Sequence, residues 1–383
     1  MSLAFTPSEY ADRLARTCAA MRDAGLDGLL CFRQESMYWL TGYDTFGYVF
    51  FQCLVVRADG RMALLTREPD RRQAQLTSTI TDIRVWVDRE TASPVDDLRD
   101  LLGDLNLAPA RIGVEYEAYG LTARNGMRLN AGLSDSATLQ DASFLISTLR
   151  VVKSPAEAVY VRKAGELADA ALDAAWPRIE PGVFEGDVLA AMQGAVFSGG
   201  GDYPGNEFVI GAGENALLCR YQTGRRHLGD RDQLTLEWAG VYRRYHAAMM
   251  RTLLLGQLSP RQRRLHAAAR EALEAVESTF VPGRTFSEAF KAHARLLDEA
   301  GLAAHRMNAC GYSLGTTFAP NWMDWPMLYD GNPVVIQANM VIFCHIIIAD
   351  SENELAMTLG RTSLVGDTGP EALSRHSLSV EAG

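Results

Sequence analysis

The segment Leu149–Pro155 (LRVVKSP) divides this chain of 383 residues. Ser154, Pro155 and Glu157 read as a helix start: a side-chain cap, a proline where its missing N–H costs nothing, and an acid facing the positive end of the helix dipole. A long alanine-rich helix is expected from there to about Trp176, and a second near Phe184–Phe197 ends in Ser198 and three glycines. No Pro/Gly-rich linker or repeat stands elsewhere. The boundary therefore falls at residues 150–155, giving domains 1–150 and 151–383.

Before the boundary, strand and helix signals alternate. Residues 8–26 carry helical periodicity. Leu29–Phe32, Cys53–Arg57 and Arg61–Thr66 are short apolar runs suited to buried strands. Glu68–Ser78 and Pro94–Leu105 read as helices with an early proline, and Arg111–Glu115 as a further strand. This is the pattern of an α/β domain. After the boundary, strands are expected near 206–211, 232–242, 245–255, 334–349 and 354–364, with helices near 259–279 and 285–301.

Composition excludes some partners. The net charge is -10 and no basic stripe is present, so no nucleic-acid binding is expected. The most apolar stretch, Val334–Ala349, is too short to cross a bilayer and contains Gln337, Asn339 and His345, so it reads as a buried strand pair. Six cysteines without a CxxC pair, and no export signal at the start, fit buried thiols in the cytoplasm.

Four segments stand in order: SMYWLTGY (Ser36–Tyr43), LRVVKSPAEAVYVRKAGELADAAL (Leu149–Leu172), LEWAGVYRRYHAAMMRT (Leu236–Thr252) and GYSLG (Gly311–Gly315). They resemble, respectively, the NxxYLTGY, R-x-x-K-S-x-x-E, IDxGxxYxGYxxDxTRT and GHGIG segments of the creatinase/aminopeptidase P/prolidase superfamily. The resemblance covers nearly the whole chain. It implies an α/β fold: an N-terminal creatinase-like α/β domain and a C-terminal pita-bread α+β domain. It also implies a homodimer in which the N-terminal domain reaches the partner's active site.

The superfamily's metallopeptidases hold two divalent metals with five side chains, since two hard cations need several oxygen or nitrogen donors. Carried over residue by residue, the resemblance puts the two aspartates on Glu237 and Ala248, the histidine on Tyr312, the first glutamate on or beside His345 and the second near Gly360. Ala248 and Gly360 offer no donor, so no metal and no cofactor are expected. The family's catalytic histidine falls on Arg220. Among members that work without metal, the chain resembles the ectoine hydrolases in GGDYP (Gly200–Pro204), in the Glu237-to-YRRYH stretch, and in Pro320–Trp322 after GYSLG. It departs from them at Arg220, around Met249–Met250 and in FCHIIIAD.

Each candidate has a bland reading beside its functional one. Glu237, in an apolar strand, suits a base or nucleophile with a raised pKa; otherwise it pairs with Arg251 or Arg244. His246 and His345 are the candidate acid/base groups, or else packed histidines. Arg220 suits a substrate carboxylate, or else pairs with Glu237 or Asp232. Tyr312 would orient substrate. Asp202 and Tyr203 would shape the pocket rim, and Trp322 and Asp324 would wall it. Trp39, Tyr43 and Phe46 would form an aromatic wall from the N-terminal domain, or else pack within it.

The function implied is metal-independent hydrolysis of a C–N bond in a small, nitrogen-rich compound of the ectoine or creatine kind. The alternatives are an Xaa-Pro peptidase-like metallohydrolase with a rebuilt site, a different reaction such as a lyase or cyclisation step, and a binding protein on the same fold.

Overall fold

Short apolar runs in the first 150 residues become strands that are buried on both faces. The computed structural model describes residues 3–220 and 225–380 and forms two units, Met1–Arg150 and Val151–Gly383.

In the first unit, strands β1 (Gly28–Cys31), β2 (Cys53–Arg57), β3 (Met62–Arg67), β4 (Asp82–Trp86), β5 (Ala110–Val114) and β6 (Ala137–Asp141) form one mixed sheet ordered β4-β3-β2-β1-β5-β6. Its helices are α1 (Pro7–Asp23), α2 (Gln34–Thr41), α3 (Glu68–Thr77), α4 (Pro94–Asp104), α5 (Ala123–Leu133) and α6 (Leu145–Arg150). Alternation along β1 sends Leu30 to one core with Leu98, Leu101 and Leu129 of α4 and α5. Leu29 and Cys31 go to the other, with Met21 of α1 and Met37 of α2.

Here two sequence expectations are corrected. Trp39 and Tyr43 are fully buried in that second core, not presented as a wall. Gln34 donates to the Tyr43 carbonyl at 2.6 Å, and the guanidinium of Arg13 stacks on Trp39. Two rings of this size bring too much apolar surface for α2 and the turn after it to leave in water. Phe46 does lie on the surface, 77% exposed.

In the second unit, Ser154 and Glu157 close a reciprocal cap on α7 (Pro155–Ala175), followed by α8 (Glu185–Ser198), α9 (Pro260–Glu277) and α10 (Phe286–Glu299). The sheet is built from β7 (Val209–Ala212), β8 (Asp232–Tyr242), β9 (Tyr245–Leu255), β10 (Ala309–Ser313), β11 (Asp324–Tyr329), β12 (Val341–Asp350), β13 (Leu355–Val365) and β14 (Pro370–Ala372). Its order is β11-β10-β12-β13-β9-β8-β7, with β14 on β13, and neighbours run antiparallel.

The helices take one face of this sheet. Ile346 and Leu359 pack with α9 and α10, and the Trp238 indole donates to the Ala168 carbonyl of α7 at 2.9 Å. Residues on the opposite face of the same strands are thereby left for a site.

The expected strand at 334–349 begins only at Val341, because Asn339 takes a left-handed φ of 67° that breaks extension. β10 and β11 carry a glycine and a proline, which mask the strand signal; Pro326 is tolerated because β11 is an edge strand. Among the described residues no helix is long and apolar enough to cross a membrane. All six cysteines are free, and Cys219 alone is partly accessible.

Candidate active site

Strand register assembles the site. Val209, Glu237, Met250, Gly360 and His345 lie in one row across β7, β8, β9, β13 and β12. Tyr312 of β10 is opposite Phe343, and Phe343 is opposite Thr362, whose hydroxyl donates to the Ala248 carbonyl at 2.8 Å. Residues two apart on a strand share a face. Glu237, Ala248, Tyr312, His345 and Gly360, which are far apart in sequence, therefore look out from one side of the sheet.

Glu237 is the carboxyl of this face. It is only partly accessible, and burial lifts its pKa to about 7; the nearby Arg220 guanidinium and the Tyr312 hydroxyl act against that rise without cancelling it. A group titrating there can take and return a proton near neutrality. Tyr312 hydroxyl lies 3.4 Å from Glu237 Oε1, a long contact, and it accepts from the Trp322 indole N–H at 2.9 Å. Burial, with Glu237 alongside, pushes the Tyr312 pKa well above its usual value, so the phenol stays protonated.

His345 packs against Tyr312 and Phe343, with ring centroids at 5.7 and 5.5 Å. Burial above all, then His293 and Arg220, lowers its pKa to about 4, so the ring is neutral. Its Nδ1 is buried without a hydrogen-bond partner among the described residues. Arg220 is exposed and acts electrostatically on Glu237, Tyr312 and His345. Asp232, the other acid considered for it, is paired instead with Arg226 at 3.2 Å. Arg251 is turned to the opposite face and donates to the Gly360 carbonyl at 2.8 Å.

Four sequence candidates are placed elsewhere. His246 is fully buried, and both its ring nitrogens are committed: Nε2 accepts from the Gly205 N–H at 2.9 Å, and Nδ1 faces the Arg244 carbonyl at 2.9 Å and the Thr317 hydroxyl at 3.1 Å. It pins a loop and has no nitrogen left for a substrate. Asp202 accepts from the Arg244 N–H at 3.0 Å, supporting the two-residue turn Arg243–Arg244 whose φ angles are 50° and 66°. Tyr203 is 74% exposed and rests edge-on against Phe197. Asp324 is buried; its Oδ2 and the Lys153 ammonium both lie beside Gly315, and its Oδ1 accepts from the Trp325 N–H at 2.9 Å.

Trp322, in contrast, belongs to the site through Tyr312. Asn206 accepts from its backbone N–H at 3.2 Å, which ties it to the loop that His246 holds.

Three further residues look out from this face: Met250 and Phe343, which lie in stretches that depart from the ectoine hydrolases, and Thr362, which carries no mark of its own. The signal lies in register, since Met250 and Phe343 are each two residues from a marked position. The same spacing links Thr362 to Gly360. Cys219, outside the strands, is coupled to this face electrostatically. Its thiol pKa is raised by burial and by Glu237, with Arg220 opposing.

A two-metal centre does not fit these residues. Of the five positions, Ala248 and Gly360 offer no donor and Tyr312 offers only a protonated phenol. Among the described residues no group of three or more His, Cys, Asp or Glu is gathered as a metal requires.

Residues 159–367 match the profile of metallopeptidase family M24, and residues 13–152 that of the creatinase/prolidase N-terminal domain. The chain belongs to metallopeptidase family M24. Its N-terminal unit is thus creatinase-like and its C-terminal unit is the pita-bread domain of the family's hydrolases. The chain is 26% identical to an ectoine hydrolase of Halomonas elongata over 98% of its own length and 97% of that protein. It is 24% identical to an Xaa-Pro dipeptidase of Pyrococcus furiosus, over 52% of this chain and 56% of the other. A prolidase structure from Thermococcus sibiricus superposes with a TM-score of 0.87 at 16% identity, covering 97% of this chain and 98% of that one. That likeness speaks for the M24 fold alone.

Proposed function

We propose that this M24 protein hydrolyses a C–N bond in a small, nitrogen-rich compound without a metal ion, with Glu237 as the proton-transfer group. The observation that supports it is Glu237 itself. It is a carboxyl with a pKa near 7, beside a protonated Tyr312 and a cationic Arg220, on a face where metal donors have been replaced.

In this reading Glu237 removes a proton from water as the water oxygen adds to an amidine or amide carbon. The proton then passes to the departing nitrogen as the C–N bond breaks, which returns Glu237 to its carboxylate form. Tyr312, held by Trp322, donates toward Glu237 and sets its position. Arg220 suits a carboxylate on the substrate, and His345 Nδ1 is a free hydrogen-bonding position on the same face. Direct attack by Glu237 on the carbon is the covalent variant of the same chemistry.

Full-length likeness to an ectoine hydrolase favours ectoine or a related cyclic or N-substituted compound. Incubation with ectoine, creatine and Xaa-Pro dipeptides, followed by mass spectrometry of the products, tests the class. Cleavage of the small cyclic or guanidino compounds supports it, and cleavage of Xaa-Pro dipeptides alone overturns it.

The second reading is an Xaa-Pro peptidase with a rebuilt metal site, favoured by the M24 match and the likeness to an Xaa-Pro dipeptidase. Stoichiometric manganese, zinc or cobalt in purified protein would establish it. We also read the chain as a homodimer, with exposed Phe46 as the residue of its aromatic segment available to a partner.

A further inference from the structure

We propose that the ring of Phe343 fills the volume a metal centre would need, so that restoring the missing ligands alone would not rebuild one. This deepens the metal-independent reading and rests on it.

The resemblance places one lost carboxylate ligand at or near Gly360. A Cβ placed there would lie 2.9 Å from both Cε2 and Cζ of Phe343, and 3.0 Å from the Cys344 carbonyl oxygen. That is inside van der Waals contact, so any side chain at 360 must first displace the ring.

The ring is not free to leave. Phe343 is fully buried and packs against Tyr312 at 5.4 Å and His345 at 5.5 Å, which are themselves 5.7 Å apart and stand where the resemblance places two further ligands. Tyr312 is in turn fixed by the Trp322 indole at 2.9 Å. A buried aromatic group in a three-ring cluster moves only at the cost of unpacking its neighbours. Three rings thus stand together where five donors would converge. An apolar wedge of this kind also strips water from any cation that approaches while offering no oxygen in return.

The test compares Mn2+ binding by three full-length proteins: wild type, the triple variant Ala248→Asp/Tyr312→His/Gly360→Glu, and the same triple variant with Phe343→Val. Glu237 and His345 stay as donors throughout. Bound Mn2+ is read by elemental mass spectrometry after dialysis, and affinity by calorimetry, with circular dichroism to confirm folding.

The expected result is that the form with Phe343→Val binds Mn2+ at least about tenfold more tightly than the form that keeps Phe343. Equal binding by the two, or binding by neither, overturns the proposal. Stoichiometric Mn2+ in wild type would sink the metal-independent reading itself, and is seen without any variant.

Should the triple variant fail to fold, the contact is tested by melting temperature. Gly360→Ala should lower it in the wild-type background and leave it nearly unchanged with Phe343→Val. An equal loss in both backgrounds overturns the proposal.

Discussion

At the scale of single residues, one carboxyl and one imidazole carry opposite pH signatures. Glu237 has a pKa raised from 4.5 to about 7. The unfolded chain gives up this proton near 4.5 and the folded one only near 7. Stability from this group is complete below pH 4.5, falls between the two values, and stays lower above them. The shift corresponds to about 3 kcal/mol at most, and about 1–2 kcal/mol for a partly accessible group. Glu237→Gln should therefore melt higher than wild type at pH 8, with the gap closing toward pH 4.5, while turnover falls by about 10²–10⁴-fold. A gap that does not change with pH would show that the carboxyl is not charged at cost. His246 runs the other way. Burial lowers its pKa to about 4, so its contribution is complete above pH 6.5 and lost as pH falls through 4. His246→Ala leaves the Gly205 N–H without an acceptor and should cost about 1–3 kcal/mol in urea unfolding at pH 7, with a smaller effect on turnover than Glu237→Gln.

At the scale of elements, the motif around the start of α7 proves to be a joint. Glu157 closes the cap with Ser154 and also accepts from the Tyr245 hydroxyl at 2.7 Å, tying the helix to the β8–β9 hairpin. Lys153 and Asp324 both lie beside Gly315, just after β10. The KSxxE and YRRYH segments therefore hold the site together instead of taking part in its chemistry. Glu157→Ala removes a cap worth about 1 kcal/mol and strands a buried phenol. A loss of about 2–4 kcal/mol in chemical denaturation is expected. The loss from adding Tyr245→Phe should be less than the sum of the two singles, because the residues share one bond. Full additivity would mean that the hydroxyl and the carboxylate are not coupled.

At the scale of the whole molecule, the reading of this M24 chain as metal-independent makes a direct demand. Activity on a small C–N substrate should survive exhaustive treatment with EDTA, and the purified protein should carry far less than one manganese, zinc or cobalt per chain. Loss of activity on chelation, restored by one of these ions, would reject it. Sedimentation equilibrium should give twice the mass of a 42.0 kDa chain.

The local signals are legible in the amino-acid sequence alone. The Ser154–Glu157 cap, the apolar run Cys53–Arg57 and the paired strands at 232–242 and 245–255 all follow from periodicity and capping chemistry, which act over a few residues. The absence of donors at Ala248 and Gly360 is equally plain there, since alanine and glycine have none to offer in any fold. What only the tertiary structure decided is what each polar side chain faces. His246 and His345 look alike in sequence, yet one has both nitrogens taken by backbone and a hydroxyl while the other keeps Nδ1 unpartnered. Trp39 and Tyr43 are aromatic in either reading, and packing against Met21 and Met37 sends them inward. Phe343 lies in a stretch that departs from the ectoine hydrolases, but the reason for its importance is on the neighbouring strand, where Gly360 leaves the space that its ring fills. Register across five strands joins residues that are distant along the chain, and nothing in their local sequence encodes that neighbourhood.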